Sequence, residues 1–151
     1  MADFVDLHVH TDHSDGRQSP RQVIDRALEI GLKAVSITDH DVVSGYVEAA
    51  EYARGKNIEV ISGVELSASK TDDDIHLLGY LFRPDNERLT ETIERFRQIR
   101  LERGRKMVER LARLGYELPY EEVLEVAGEA AVGRPHLAEA MKNRDIVDSY
   151  D

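Results

Sequence analysis

Apolar residues along the first 82 positions fall into short runs separated by polar turns, and the runs alternate in period. Phe4 through His10 reads as a strand that gives way to a polar loop through Gly16. Ser19-Pro20 then has the form of a helix start, with Pro at the first helical position and Gln22 placed for a capping box. The helix carries Val23, Ile24, Ala27, Leu28 and Ile30 at helical spacing and stops at Gly31. A second strand, Ala34 to Ile37, follows, then an amphipathic helix from about Ser44 to Arg54, with Gly55 as its stop. Two further strands are expected, Ile58 to Leu66 and Ile75 to Phe82, on either side of a polar turn at Lys70–Asp74.

Strand–helix–strand–helix–strand with short connections predicts an α/β fold with a parallel sheet or barrel, because parallel neighbours need a crossover. Past Arg83-Pro84-Asp85 the pattern is helical throughout. Leu89, Ile93, Phe96, Val108, Leu111 and Leu114 mark one face of a long helix ending at Gly115. Shorter helices are expected over Pro119–Ala127 and Pro135–Lys142. The division is therefore residues 1–82, the opening of a β/α barrel, and residues 83–151, a helical segment.

Composition narrows the class. The 151 residues are 41% hydrophobic and 33% charged, the balance of a globular protein. No apolar run is long enough for a membrane span, and the first residues lack a secretory pattern, so a cytoplasmic protein is expected. With no cysteine, disulfides, thiolate catalysis and Cys-type zinc sites are excluded. The net charge of −10 argues against sustained contact with nucleic-acid backbone. Half of the 20 basic residues nonetheless lie within positions 83–113, a segment suited to attracting a small phosphorylated molecule.

Candidate chemistry gathers near the ends of the predicted strands, where ligands bind in α/β folds. His8 and His10, two apart on a strand, point to one face. His13 and Asp15 lie in the next loop, Thr38-Asp39-His40-Asp41 ends the second strand, Glu65 ends the third and His76 opens the fourth. Taken singly, each has a plainer role: Asp39 or Asp41 as a helix cap, Asp15 as a turn residue, His76 as a core histidine. Glu65 is harder to assign so, because an unpaired carboxylate in an apolar strand is costly. Together, imidazole and carboxylate without thiolate suit zinc, manganese or iron, and paired ions of this kind serve phosphoester displacement. Arg134 and His136, at a helix start in Gly133-Arg134-Pro135-His136, could hold a phosphate.

These strings, Asp6–Gly16 (DLHVHTDHSDG), Thr38–Asp41, Gly63–Ser67, Ile75–Tyr80 and Gly133–His136, resemble the PHP (polymerase and histidinol phosphatase) phosphoesterases. The resemblance is to the branch acting on nucleotide phosphomonoesters such as nucleoside 3′,5′-bisphosphates. It implies a distorted seven-stranded β/α barrel with two or three divalent ions. His8, His10, Asp15, His40, Glu65 and His76 would be the metal ligands, with Glu65 bridging, and Glu65, His40 and Asp15 would lie at the catalytic centre. Arg134 and His136 would be phosphate contacts on a helical insertion, and the reaction would be attack of a metal-bound hydroxide on the ester.

The family pattern also continues with further strands, an Ala-His-Pro-like motif and a late Asp-x-His pair. No histidine follows His136 here, so an amino-terminal portion of such a protein is expected. Three other readings stand beside the leading one. They are histidinol-phosphate hydrolysis, a polymerase-associated module, and a non-catalytic half that associates with a second chain.

Overall fold

The structure is a computed structural model that describes residues 4–70, 73–128, 130 and 132–149. Nine elements follow in order: β1 (Val5–Val9), α1 (Pro20–Glu29), β2 (Ala34–Ile37), α2 (Ser44–Tyr52), β3 (Glu59–Lys70), β4 (Asp73–Tyr80), α3 (Glu87–Arg113), α4 (Tyr120–Ala127) and α5 (Arg134–Asn143). The four strands form one curled sheet in the order β1-β2-β3-β4. This is the α/β half-barrel that the alternation predicts.

The parallel arrangement holds for β1, β2 and β3 but not for β4, which runs antiparallel to β3. The reason is length. Lys70 pairs with Asp73, so only two residues connect the strands, whereas a parallel return needs a dozen or more. The tip of that turn, residues 71 and 72, lies outside the described residues. Extending the two strands to meet there also moves Glu65 and His76 into strand interiors, away from the strand ends where the sequence set them.

Helix α1 begins as its sequence dictates. Ser19 Oγ accepts the Gln22 amide N–H while the Gln22 side chain accepts the Ser19 N–H, and Pro20 occupies the first turn. Its inner stripe, Val23 and Ile24, packs with Val35 and Ile37 of β2 and with Ala49 and Ala53 of the α2 region. Ile24 and Ile37 are completely buried, each contributing about 1.5–3 kcal/mol by removal from water. Both helices thus cover one face of the sheet, and Val9 of β1 packs against that cluster. His8 and His10, one residue to either side of Val9, take the opposite face.

A second apolar cluster lies among the last three helices. Leu118, Val123, Ala127, Val132, Leu137 and Ala140 form it, with Leu101, Val108 and Leu111 of α3 alongside. Gly104 sits in the middle of α3, where glycine costs about 1 kcal/mol against alanine. A Cβ there would come within 3.1 Å of the Tyr120 ring, whose hydroxyl donates to the Leu101 carbonyl at 2.9 Å. That glycine lets α4 approach. Leu114, placed on the apolar face by spacing, is instead 66% exposed at the helix end.

Apolar side chains remain exposed on the two edge strands: Phe4, Val5 and Leu7 beside or within β1, and Ile75, Leu77 and Leu78 on β4. Among the described residues, no helix is long and apolar enough to cross a membrane.

Candidate metal centre

Glu65 is the hub. Its side chain is only 4% exposed, and one carboxylate oxygen, Oε2, lies 2.9 Å from Nε2 of both His8 and His10. Those two nitrogens are 3.1 Å apart. The other oxygen, Oε1, contacts Nδ1 of His76 and lies 3.8 Å from Nδ1 of His40. His76 reaches the site through the antiparallel register: Ser67 pairs with His76 and Glu65 with Leu78, which places Glu65 and His76 diagonally on one face. Asp15 completes the arrangement from the loop after β1, with Oδ1 3.1 Å from His10 Nδ1 and Oδ2 3.5 Å from His40 Nε2. The four imidazoles follow one another at centroid spacings of 5.2, 4.7 and 4.9 Å in the order His8, His10, His40, His76.

All six ligands expected from the sequence therefore meet. They resolve into three overlapping triads: His8–His10–Glu65, His10–Asp15–His40 and His40–Glu65–His76. The donor set fits divalent ions of the zinc, manganese or iron kind. His40 Nδ1 supplies a further sign. It is buried with no hydrogen-bond partner, which is costly for a polar atom unless something else satisfies it.

Electrostatics prepares the donors. The hydrogen bond from His10 holds the Asp15 carboxyl at about 2, against the opposing effect of burial. The same bond raises the His10 imidazole, with burial working against it. Burial pushes the Glu65 carboxyl up, but the His8 hydrogen bond and the nearby His40, His10 and His76 outweigh it, so the group lies below its ordinary value. Burial lowers His40 against the pull of Asp15 and Glu65, which favours the neutral ring a metal requires.

The two carboxylates flanking His40 are both buried, and neither caps α2, whose N-cap is Val43 without a side-chain bond. Asp39 instead holds the loop that carries Asp15. Its Oδ1 accepts the Thr11 N–H at 2.6 Å and the Ser14 hydroxyl at 2.7 Å, while Oδ2 accepts the Thr11 hydroxyl at 2.7 Å. Gly16 closes that loop by donating its N–H to the Thr11 carbonyl at 2.9 Å. A Cβ on Gly16 would lie 2.4 Å from the His10 carbonyl oxygen. Asp41 accepts the Ser67 N–H at 2.9 Å and an ion-pair hydrogen bond from Arg100.

His13 stands outside the triads, bonded to Ser44 Oγ at 2.6 Å and 3.4 Å from Glu48. With Asp12, Asp41, Ser44, Ile93 and Arg97 it lines a cavity of about 610 Å³ between α3 and the loops that follow β1 and β2. Arg134 is the exposed first residue of α5. His136 accepts the Gly133 N–H on Nδ1 at 3.0 Å and hydrogen-bonds the Ser14 backbone, and burial lowers its imidazole. It lines a cavity of about 300 Å³ shared with Ser14, Asp15, Arg17 and Glu139.

Sequence reasoning offered Asp39 or Asp41 only as a helix cap and placed Arg100 no more closely than within the basic segment of residues 83–113. A signal for Arg100 existed. It follows Ile93 by seven and Phe96 by four, so it sits on the apolar stripe.

The PHP domain matches residues 6–140 of this chain. A 3′,5′-nucleoside bisphosphate phosphatase of Chromobacterium violaceum is 38% identical over 103 residues, covering 68% of this chain and 36% of that protein. A 5′-3′ exoribonuclease of Haemophilus influenzae is 31% identical over 138 residues, covering 91% of this chain and 50% of that protein. The chain thus spans half or less of the length of these curated relatives. Among solved structures, an amidohydrolase from Chromobacterium violaceum with bound sulfate superposes with a TM-score of 0.84 at 31% identity, covering 96% of this chain and 51% of that one. A Bifidobacterium adolescentis protein, itself assigned by inference as a metal-dependent phosphoesterase, gives a TM-score of 0.86 at 32% identity, covering 99% and 53%. The match spans all six converging residues, from His8 to His76, and the chain belongs to the PHP domain family.

Proposed function

We propose that this chain carries the metal-binding front of a cytoplasmic phosphoesterase that hydrolyses phosphomonoesters of nucleotides, nucleoside 3′,5′-bisphosphates among them. The observation that supports it most is the convergence of four histidines and Asp15 around the buried Glu65. His8, His10, Asp15, His40, Glu65 and His76 would hold two or three ions, manganese, zinc or iron. Such ions supply an activated water near neutral pH and neutralise charge at phosphorus.

The chain's own residues do the remainder. Asp15 and Glu65 stay ionised, and His40 stays neutral, so they present lone pairs rather than protons to the centre. Arg134 and His136 open α5, read here as part of a helical insertion over residues 83–151, and they orient the ester. His136 lines the same cavity as Asp15 and, kept neutral by burial, contributes hydrogen bonding rather than charge. The names of the relatives favour a nucleotide, since one acts on a nucleoside bisphosphate and another on RNA.

The test is a substrate panel with added manganese, comparing adenosine 3′,5′-bisphosphate, histidinol phosphate and a short oligoribonucleotide by kcat/KM. Preference for the bisphosphate supports the reading, and preference for histidinol phosphate replaces it.

A second reading rests on the exposed apolar residues of β1 and β4. A complementary chain covering both edges would complete the barrel, with this chain as a non-catalytic half on its own. Light scattering after size exclusion separates the two: an active monomer removes the second reading, and an inactive chain recovered only in a complex favours it.

A further inference from the structure

We propose that Arg100, on the helical segment, is a positioning residue for the metal centre; the inference rests on the metal reading above. Arg100 comes from the middle of α3, yet its side chain is 11% exposed, against 0% for that of Asp41. Among the described residues its guanidinium makes three separate contacts. Nε donates to Asp41 Oδ2, Nη2 to the Ser67 hydroxyl at 2.5 Å, and Nη1 to the Val132 carbonyl at 3.5 Å.

The first two contacts fall on either side of the metal ligands. Asp41 follows His40 directly, and Ser67 is two residues past Glu65. The two strand ends are already bonded to each other. Asp41 N–H donates to the Glu65 carbonyl at 2.9 Å, Glu65 N–H to the Asp39 carbonyl at 3.1 Å, and Ser67 N–H to Asp41 Oδ1 at 2.9 Å. Arg100 fastens this patch from above with a fork that matches a carboxylate and a hydroxyl together.

Asp41 also has a φ of 52°, a left-handed conformation that a non-glycine residue keeps only when its surroundings hold it there. Removing the guanidinium leaves a buried carboxylate unpaired beside that strained residue. The displacement falls first on His40 and Glu65, which share a triad with His76. Through Arg100 the helical segment sets the spacing between these two ligands, and it does so without touching an ion.

The experiment uses the full 151-residue chain, loaded with cobalt(II) and followed by visible absorption, with circular dichroism and thermal unfolding as controls. Arg100→Ala is expected to fold but to weaken cobalt binding by roughly 10–100-fold, the usual effect of losing a residue that orients ligands. Guanidinium ion added to Arg100→Ala should restore the band in part. Arg100→Lys keeps the charge but not the fork, so it serves if the alanine variant does not fold, and its cobalt band should shift or weaken.

Wild-type cobalt affinity and spectrum in folded Arg100→Ala or Arg100→Lys overturn the proposal. So does an effect confined to inorganic phosphate binding, which would place Arg100 on the substrate instead. Failure of the unmodified chain to bind cobalt defeats the metal reading itself, and this inference with it.

Discussion

Asp39 Oδ2 occupies the space where a side chain on Gly45 would begin: a Cβ built there lies 2.0 Å from that oxygen. Helix α2 can approach the end of β2 only because residue 45 has no side chain. The same carboxylate gathers Thr11 and Ser14, so the fit of α2 against Asp39 reaches the loop that carries Asp15. Gly45→Ala is expected to cost about 1–3 kcal/mol, as overpacking of a tight site does. It should also weaken metal binding at the His10–Asp15–His40 triad. Denaturant unfolding with and without chelator measures both effects.

Asp39→Asn tests the same loop from the other side. Three donors converge on the carboxylate, and an amide can turn only one oxygen toward them. A loss of about 1–3 kcal/mol follows from leaving a buried donor unsatisfied. Hydrogen exchange should show faster opening of residues 11–16, while exchange in α1, whose core contacts are unchanged, stays as before.

The Asp15–His10 pair gives the metal-free chain a defined pH dependence. Asp15 falls from 3.8 to about 2 on folding, so its contribution, reduced by solvent screening at this exposed residue, is present above the unfolded value and is lost as pH drops through about 2. His10 is raised from 6.5, so its share is complete below 6.5 and disappears as pH climbs through the higher folded value. The pair's own contribution is therefore greatest from about pH 4 to 6.5, while His40 and His136, lowered by burial, act in the opposite sense and favour the folded chain more as pH rises through 6.5. Asp15→Asn should flatten the acid side in chelator-treated protein, and an unchanged acid limb would remove the pair from the balance.

Arg134→Ala should raise KM for a phosphomonoester by 10-fold or so, the scale of one lost charge-assisted bond, with bound metal unchanged. A drop in metal content instead would assign Arg134 to the structure of the centre.

Much of this was legible in the chain because local rules agreed with the final structure. Ser19, Pro20 and Gln22 specify a helix start through contacts within four residues, and the start is where they set it. His8 and His10 share a face because strand geometry requires it. What spacing alone did not settle was long-range. The antiparallel turn of β4 depended on a two-residue connection that reads as an ordinary polar loop. It also explains why His76, inside a strand, still reaches Glu65. Asp39 and Asp41 read as caps because a carboxylate before a helix usually is one. Their partners, at Thr11 and Arg100, lie 28 and 59 residues away and leave no local trace beyond one arginine in an apolar stripe.

The central claim is that Glu65 organises a metal centre from residues of this chain, and bound-metal stoichiometry tests it most directly. Equilibrium dialysis against manganese followed by elemental analysis should find at least two ions on the 151-residue chain. Glu65→Gln, which removes a carboxylate from two of the three triads, should lose most of that metal while keeping its circular dichroism. A folded chain that binds no metal, or a Glu65→Gln variant with undiminished metal content, would contradict the account.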